Sequence, residues 1–371
     1  MIRVLHSVSN MDRGGIETML MNFYRNVDRS AVQFDFLANK PQPGDYDEEI
    51  RALGGRIFVS PGFVNWKKYE EFMTGLFREH PEYKIIHTHN GSLMLYALRA
   101  ARKNGIPVRI AHAHATSVPP GLKNQVKKLM RPLIKYEATD YWGCSDAAGE
   151  FYFSKKRWES GHQLIHNAIN VDGFRFDPEK RAKIRAEYGL TDRLVVGHVG
   201  RLAPQKNQKK LIEVFAEVRK KNPEARLVII GTGELEAELK AYAKQLGVGD
   251  AALFTGVLSN VSDWYSAFDV FVMTSLYEGL PVVAIEAQAS GLPCVLSDTI
   301  TPEVKITDVV RFAPLGGSAA SWADTVLGFE PAARVSRSDE LRLAGYDIRY
   351  EAERMQNLYL ALYNRLNAEQ R

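Results

Sequence analysis

Short apolar runs recur along the chain, each followed by a turn and then by a stretch whose apolar positions repeat at helical spacing. Ile2 to Val8 is the first such run, and the helix opening after Asn10-Met-Asp-Arg-Gly-Gly-Ile-Glu places Ile16, Met19, Leu20 and Phe23 on one face. Further strands are expected at Gln33 to Leu37, Arg56 to Val59, Ile85 to Thr88, Arg109 to His114 and Tyr141 to Cys144. Helix-compatible segments lie between them at Asp47 to Leu53, Lys67 to Glu79 and Ser92 to Lys103. The alternation resumes with Leu194 to Val199, Arg226 to Ile230, Ala252 to Thr255, Val270 to Met273 and Cys294 to Leu296. Strands alternating with helices build parallel sheets covered on both faces, so the pattern predicts an α/β protein with two Rossmann-like domains. Ligands of such sheets gather at the carboxyl ends of the strands.

The most informative stretch follows the run Val270 to Met273: Thr274-Ser-Leu-Tyr-Glu-Gly-Leu-Pro-Val-Val-Ala-Ile-Glu, continuing to Gly291-Leu-Pro293. Strand, turn, helix and strand follow in order. Glu278 falls in the turn and Glu286 inside the helix, Gly279 lets the backbone approach a ligand, and Pro281 suits the first helical turn. The free N–H groups of a helix start attract an anion, and carboxylates beside them bind hydroxyls. An anion beside hydroxyls describes a nucleotide sugar. Two further turns fit phosphate in the same way: Gly14-Gly15 after the first strand, and Gly200-Arg-Leu-Ala-Pro-Gln-Lys-Asn after Val199, where Arg201 and Lys206 are placed to neutralise a diphosphate.

Ser275-Leu-Tyr-Glu-Gly-Leu-Pro with Glu286-Ala-Gln-Ala-Ser-Gly-Leu-Pro resembles the E-x7-E signature of the retaining glycosyltransferases of family 4, which have the GT-B architecture of two Rossmann-like domains facing across a cleft. The resemblance spans nearly the whole chain. It implies that Glu278 contacts sugar hydroxyls of the donor, that Glu286 contacts the ribose, and that Arg201 and Lys206 stabilise the departing nucleoside diphosphate. It also places Gly14, Gly15, Gly200, Gly279, Leu280 and Pro281 near the donor, and brings the Gly-rich turn Gly231-Thr-Gly233 close to the nucleotide. Phe254-Thr-Gly-Val-Leu is similar to the segment whose backbone pairs with the base, making Val257 and Leu258 candidates and the base a uridine. The run from Tyr350 to Leu366 reads as an amphipathic helix that such chains return to the first domain. Domains are therefore expected at 1–172 together with 350–371, and at 173–349.

Histidines mark two strand ends, His87-Thr-His89 and His112-Ala-His114. Pairs at i and i+2 share a face, which raises a metal site. Neither pair brings a carboxylate or cysteine, and the resemblance implies no catalytic metal and no cofactor. It implies instead that a histidine here lies near the donor sugar, His114 ahead of His112, although Ala115 stands where the family often has Asn. His6 reads as a core residue. Position 168 is Ala and position 170 Asn, where the family's hinge phrase has Gly and Asp.

A net charge of +4 is too mild to imply nucleic acid. Cys144 and Cys294 fall in strands of different halves, so a reducing compartment fits, and no apolar run reaches membrane-spanning length. The stretch from 121 to 137 is the most basic in the chain, with Lys123, Lys127, Lys128, Arg131 and Lys135 interleaved with aliphatic residues at helical spacing and Pro132 expected to kink it. Such a helix suits an anionic lipid surface. The expected protein is a cytoplasmic, metal-independent hexosyl- or N-acetylhexosaminyltransferase, peripheral at the inner face of the plasma membrane. Its expected partners are a nucleotide-sugar donor and a glycan or lipid-linked acceptor of exopolysaccharide or capsule assembly. A GT-B epimerase, a phosphorylase (disfavoured because no pyridoxal-binding lysine motif stands out) or a non-catalytic nucleotide-sugar binder is the alternative.

Overall fold

The computed structural model describes residues 1–116, 128–329 and 334–369. The chain forms two compact units, Met1–Ala168 with Ile348–Arg371, and Ile169–Asp347. The division after Ala168 falls a few residues before the expected position near 172, and the return segment begins at Ile348 where 350 was expected.

The first unit carries β1 (Ile2–Val8), β2 (Val32–Ala38), β3 (Ile57–Val59), β4 (Ile85–Thr88), β5 (Val108–Ala113), β6 (Asp140–Gly143) and β7 (Gln163–Leu164). Their order across the sheet is β3-β2-β1-β4-β5-β6-β7, and every pair is parallel. Such a sheet needs cover on both faces, which its alternating strands provide. Leu5, Leu37 and Ile86 pack on one side against Tyr69, Met73, Ala97 and Ala101 of helices Trp66–Glu79 and Met94–Lys103. Val4, Phe34, Ile85, Val108 and Ile110 pack on the other, beneath helices Gly15–Asn26 and Ile348–Glu369. Ile348, Ala352, Met355 and Tyr359 recur at helical spacing and are all buried. Burying Met355 alone contributes about 2 kcal/mol.

The second unit repeats the plan with β8 (Val195–Val199), β9 (Arg226–Ile230), β10 (Ala252–Gly256), β11 (Val270–Met273), β12 (Cys294–Ser297) and β13 (Val310–Ala313), in the order β10-β9-β8-β11-β12-β13 and again wholly parallel. The helix Gln208–Lys221 turns Leu211, Ile212, Phe215 and Val218 into its core. The sequence pattern did not flag β13, because Val310-Arg-Phe-Ala is a short edge strand with exposed Arg311 and only two buried residues.

In both sheets the chain winds outward one way and then the other, so the connections diverge between β1 and β4 and between β8 and β11. That switch point opens a crevice outside the strand ends.

Much of the basic segment 121–137 lies outside the described residues. Its described part is broken, with Arg131–Leu133 forming a 3-10 turn around Pro132 before the short helix Ile134–Glu137. Cys144 and Cys294 are buried and not disulfide-bonded. No helix among the described residues is long and apolar enough to cross a membrane.

Candidate functional site

The loops leaving β8 and β11 meet at the second unit's switch point. Lys206 donates to Glu278 Oε1 at 2.7 Å, with both side chains largely buried. Gln205 Nε2 donates to Tyr277 O at 3.0 Å, and Leu276 N returns a bond to Gln205 O at 2.8 Å. Thr274 Oγ1 donates to Asn207 O at 2.9 Å, fixing a residue in the left-handed region (φ 51°) where the loop enters its helix. The sequence places a cation and a carboxylate far apart; the fold brings them into contact at the carboxyl edge.

Beneath this loop lies His198, buried on β8. Its Nδ1–H donates to Val272 O at 2.9 Å, leaving Nε2 to accept from Gln208 Nε2 at 3.3 Å, and Gln208 also donates to Arg201 O at 2.8 Å. Burial holds His198 neutral by lowering its pKa to about 4, which suits this one tautomer. His198 and Gln208 were not legible as site residues.

Gly231 and Gly233 hold the same loop from the other side. Gly231 sits at φ +134°, and a Cβ there would stand 2.2 Å from Gly200 O, while one on Gly233 would stand 2.2 Å from Leu202 O. These glycines are needed for backbone to lie against backbone. Gly231 N donates to Gly256 O at 2.9 Å, which ties the turn to the end of β10, beyond which Val257 is exposed and Leu258 half-buried. Arg201 extends outward, its side chain 70% exposed, toward Glu234 at 3.2 Å.

Pro281 caps the helix Val282–Ala289 rather than occupying its first turn, with Leu280 buried and Gly279 half-buried beside it. Glu286 accepts from the Tyr265 hydroxyl at 2.7 Å. Burial raises its carboxyl to about 7, against the lowering effect of that hydrogen bond. Arg334 fixes the two helices involved, donating to Ser290 O at 2.9 Å and to Tyr265 O at 2.5 Å. Neither Tyr265 nor Arg334 carries a local sequence signal.

In the first unit, Gly14 caps the helix Gly15–Asn26, and its N–H is taken by Asp12 O at 2.8 Å. The Glu17 carboxylate folds over Gly14, whereas Gly15 is open. Burial raises Glu17 to about 7. His112 is buried and His114 partly exposed. His87 and His89 lie beside them, with His87 Nε2 3.0 Å from His112 Nδ1 and His89 Nδ1 2.9 Å from His114 Nε2. His6 is buried, as expected of a core residue, and its Nδ1 lies 3.1 Å from His89 Nε2.

Two doubly wound parallel sheets in one chain, one of them with this charged switch point, define the GT-B class of glycosyltransferase fold. Residues 13–146 match the family profile "Glycosyltransferase Family 4", and residues 180–325 match "Glycosyl transferases group 1". The chain is 37% identical over 368 residues to "Putative glycosyltransferase EpsF" of Bacillus subtilis (strain 168), with 96% of each chain covered. It is 29% identical over 225 residues to the Escherichia coli "UDP-Gal:alpha-D-GlcNAc-diphosphoundecaprenol alpha-1,3-galactosyltransferase", covering 58% of each. In fold it is similar to Anabaena HepE in complex with UDP-glucose, at a TM-score of 0.81 and 18% identity, covering 97% of this chain and 100% of that one. The chain belongs to the GT-B glycosyltransferases of family 4.

Proposed function

We propose that this glycosyltransferase moves a hexosyl or N-acetylhexosaminyl group from a UDP-sugar to a glycan or lipid-linked acceptor of bacterial exopolysaccharide or capsule, with retention of anomeric configuration. The observation that carries this reading is the Lys206–Glu278 contact at the switch point. The partially buried pair holds each charge in place without a ligand. An arriving diphosphate competes for Lys206 and frees the Glu278 carboxylate to accept from sugar hydroxyls. Arg201, exposed at the same loop, reaches the same phosphates, and the N–H groups at the start of helix Val282–Ala289 add a positive dipole end. Charge developing on the leaving diphosphate is thus met by fixed cations without recourse to a metal. Glu286, half-protonated near neutral pH, is positioned for ribose hydroxyls, and Val257 and Leu258 offer backbone to the base. His114, with His112 behind it, serves the sugar. The donor and acceptor in the name of the E. coli relative, and the UDP-glucose held by HepE, support the choice of UDP and of a lipid-linked acceptor.

Lipid contact is supported by the described part of the basic segment, where Leu129 (77% exposed), Leu133 (48%) and Tyr136 (68%) accompany Lys128, Arg131 and Lys135. Exposed apolar groups among cations suit an anionic leaflet and support a location at the inner face of the plasma membrane.

The test is thermal shift with UDP, GDP and ADP, without added metal, on the wild type and on Glu286→Ala. A ligand that binds only the folded state raises the melting point by mass action. UDP is expected to stabilise the wild type and to lose that effect in the variant. Stabilisation by GDP or ADP alone corrects the base; stabilisation by none of them overturns the donor site.

A further inference from the structure

The apolar layer beneath the C-terminal helix changes character as it reaches the carboxyl edge of the first sheet. On β1 the inward series runs Ile2, Val4, His6; from β4 it runs Ile85, His87, His89; from β5 it runs Val108, Ile110, His112, His114. Adjacent strands bring these side chains together, with His6 directly opposite His87 in the register. Five imidazoles therefore replace aliphatic side chains on one face. Their ring centroids are as close as 4.0 Å for His112 and His114, and 4.2 Å for His87 and His89.

Two groups within this layer have metal-ligand spacing. One ring nitrogen from each of His6, His87 and His89, and likewise from each of His89, His112 and His114, lies within 4.8 Å of the others. The second group has a way in, because His114 is partly exposed while the first group is fully buried. It also has an unused ligand: His112 Nε2 is buried with no hydrogen-bond partner among the described residues. An orphaned buried nitrogen costs desolvation and calls for something to satisfy it.

We propose that His89, His112 and His114 form a binding site for a divalent transition-metal cation of the zinc class, with Nδ1 of His89 and Nε2 of His112 and His114 as ligands. Neutral imidazole is the ligating form. Zinc–nitrogen bonds of about 2.0–2.1 Å place tetrahedral ligand atoms roughly 3.3 Å apart. His89 Nδ1 and His114 Nε2 now stand 2.9 Å apart, close to that spacing, and His112 offers a ring nitrogen within 4.8 Å of theirs. Orientation is already supplied from behind. With His112 Nε2 on the cation, its Nδ1–H donates to His87 Nε2 at 3.0 Å, and His87 Nδ1–H donates to the Tyr359 hydroxyl oxygen at 2.6 Å. A ligand histidine held through its other nitrogen is the usual outer-shell arrangement of such sites. A fourth position would be left for water or an anionic oxygen. The site lies in the first unit and draws on His112 and His114, the histidines that the proposed function sets beside the sugar.

The experiment uses the full chain carrying no polyhistidine tag, treated with chelator, dialysed and titrated with Co²⁺ and then Zn²⁺. We expect one Co²⁺ per chain, the visible absorption of a four-coordinate cobalt–nitrogen centre, and displacement by Zn²⁺. His112→Gln and His114→Gln are each expected to weaken binding at least tenfold, that is by about 1.4 kcal/mol or more. A His80→Asn/His162→Asn double variant, altering partly exposed histidines elsewhere, is expected to bind like the wild type. Circular dichroism reports whether each variant folds, and the more exposed His114→Gln decides the matter if His112→Gln does not. Absence of stoichiometric binding by the wild type, undiminished binding by His114→Gln, or loss of binding in the double control overturns the site.

Discussion

At the end of β1 and β4 the carboxyl edge of the first sheet is lined by imidazoles that burial keeps neutral, while at the end of β8 and β11 the same edge of the second sheet presents Lys206 against Glu278. The strand order is equivalent on the two sides, and so is the crevice it opens. The chemistry comes from the last residues of each strand and from the loop that follows. In the first unit those residues continue the inward face of the strands and stay within the core; in the second they belong to loops that leave the sheet and close on one another. One topology thus yields a neutral nitrogen-rich edge and a charged oxygen-and-ammonium edge.

The comparison is broken most severely at the charged edge. Lys206→Ala is expected to reduce kcat/KM by about 10²–10³, because one preorganised charge at the leaving group is worth that much. Glu278→Gln, which preserves shape and a polar contact, tests the carboxylate itself, and an unchanged kcat/KM in both would remove the pair from the reaction. Acid acts on the other edge. His6 and His114, lowered from 6.5 to about 3, are neutral in the fold where the unfolded chain is already protonated. Stability is therefore full above pH 6.5 and is lost as the pH falls toward 3, by about 1.4 kcal/mol per pH unit for each histidine. Glu286 runs in the opposite sense: raised from 4.5 to about 7, it stabilises the fold below 4.5, and that contribution fades as the pH rises through 7. Denaturant midpoints of the wild type and of Glu286→Gln between pH 4 and 8 separate the two, the Gln variant gaining on the wild type at the alkaline end.

Gly233→Ala comes next in size. Its methyl would meet Leu202 O, and an expected cost of about 1–3 kcal/mol should accompany weakened UDP binding, since the loop bearing Arg201 and Lys206 must shift. Tyr359→Phe is the mildest change. It removes the partner of His87 Nδ1 without altering volume, so a loss of about 1–2 kcal/mol is expected in urea unfolding, with donor binding intact. Impaired UDP binding in this variant would show that the two edges are not independent.

The strands were legible because a parallel sheet buries both faces and each strand must be a nearly continuous apolar run; Ile2–Val8, Ile85–Thr88, Arg226–Ile230 and Val270–Met273 match their predicted limits. The short edge strand β13 escaped because half of it is not buried. Glu278, Lys206 and Arg201 were legible through their place after strands and through the family signature. Gln205, His198, Tyr265 and Arg334 were not, because their significance lies in contacts with residues far away in sequence. Arg334, for example, meets Tyr265 across 69 positions. The histidine pairs were visible as pairs, but only strand register shows that His6 joins them.

The helix Ile348–Glu369 covers the first unit although its residues are joined to those of the second. During synthesis the first sheet leaves the ribosome with the Met355 and Tyr359 positions of its core still untranslated, whereas Ile169–Asp347 is complete before that helix emerges. The unit made first is thus the unit finished last, and its uncovered apolar face is the one a chaperone would meet.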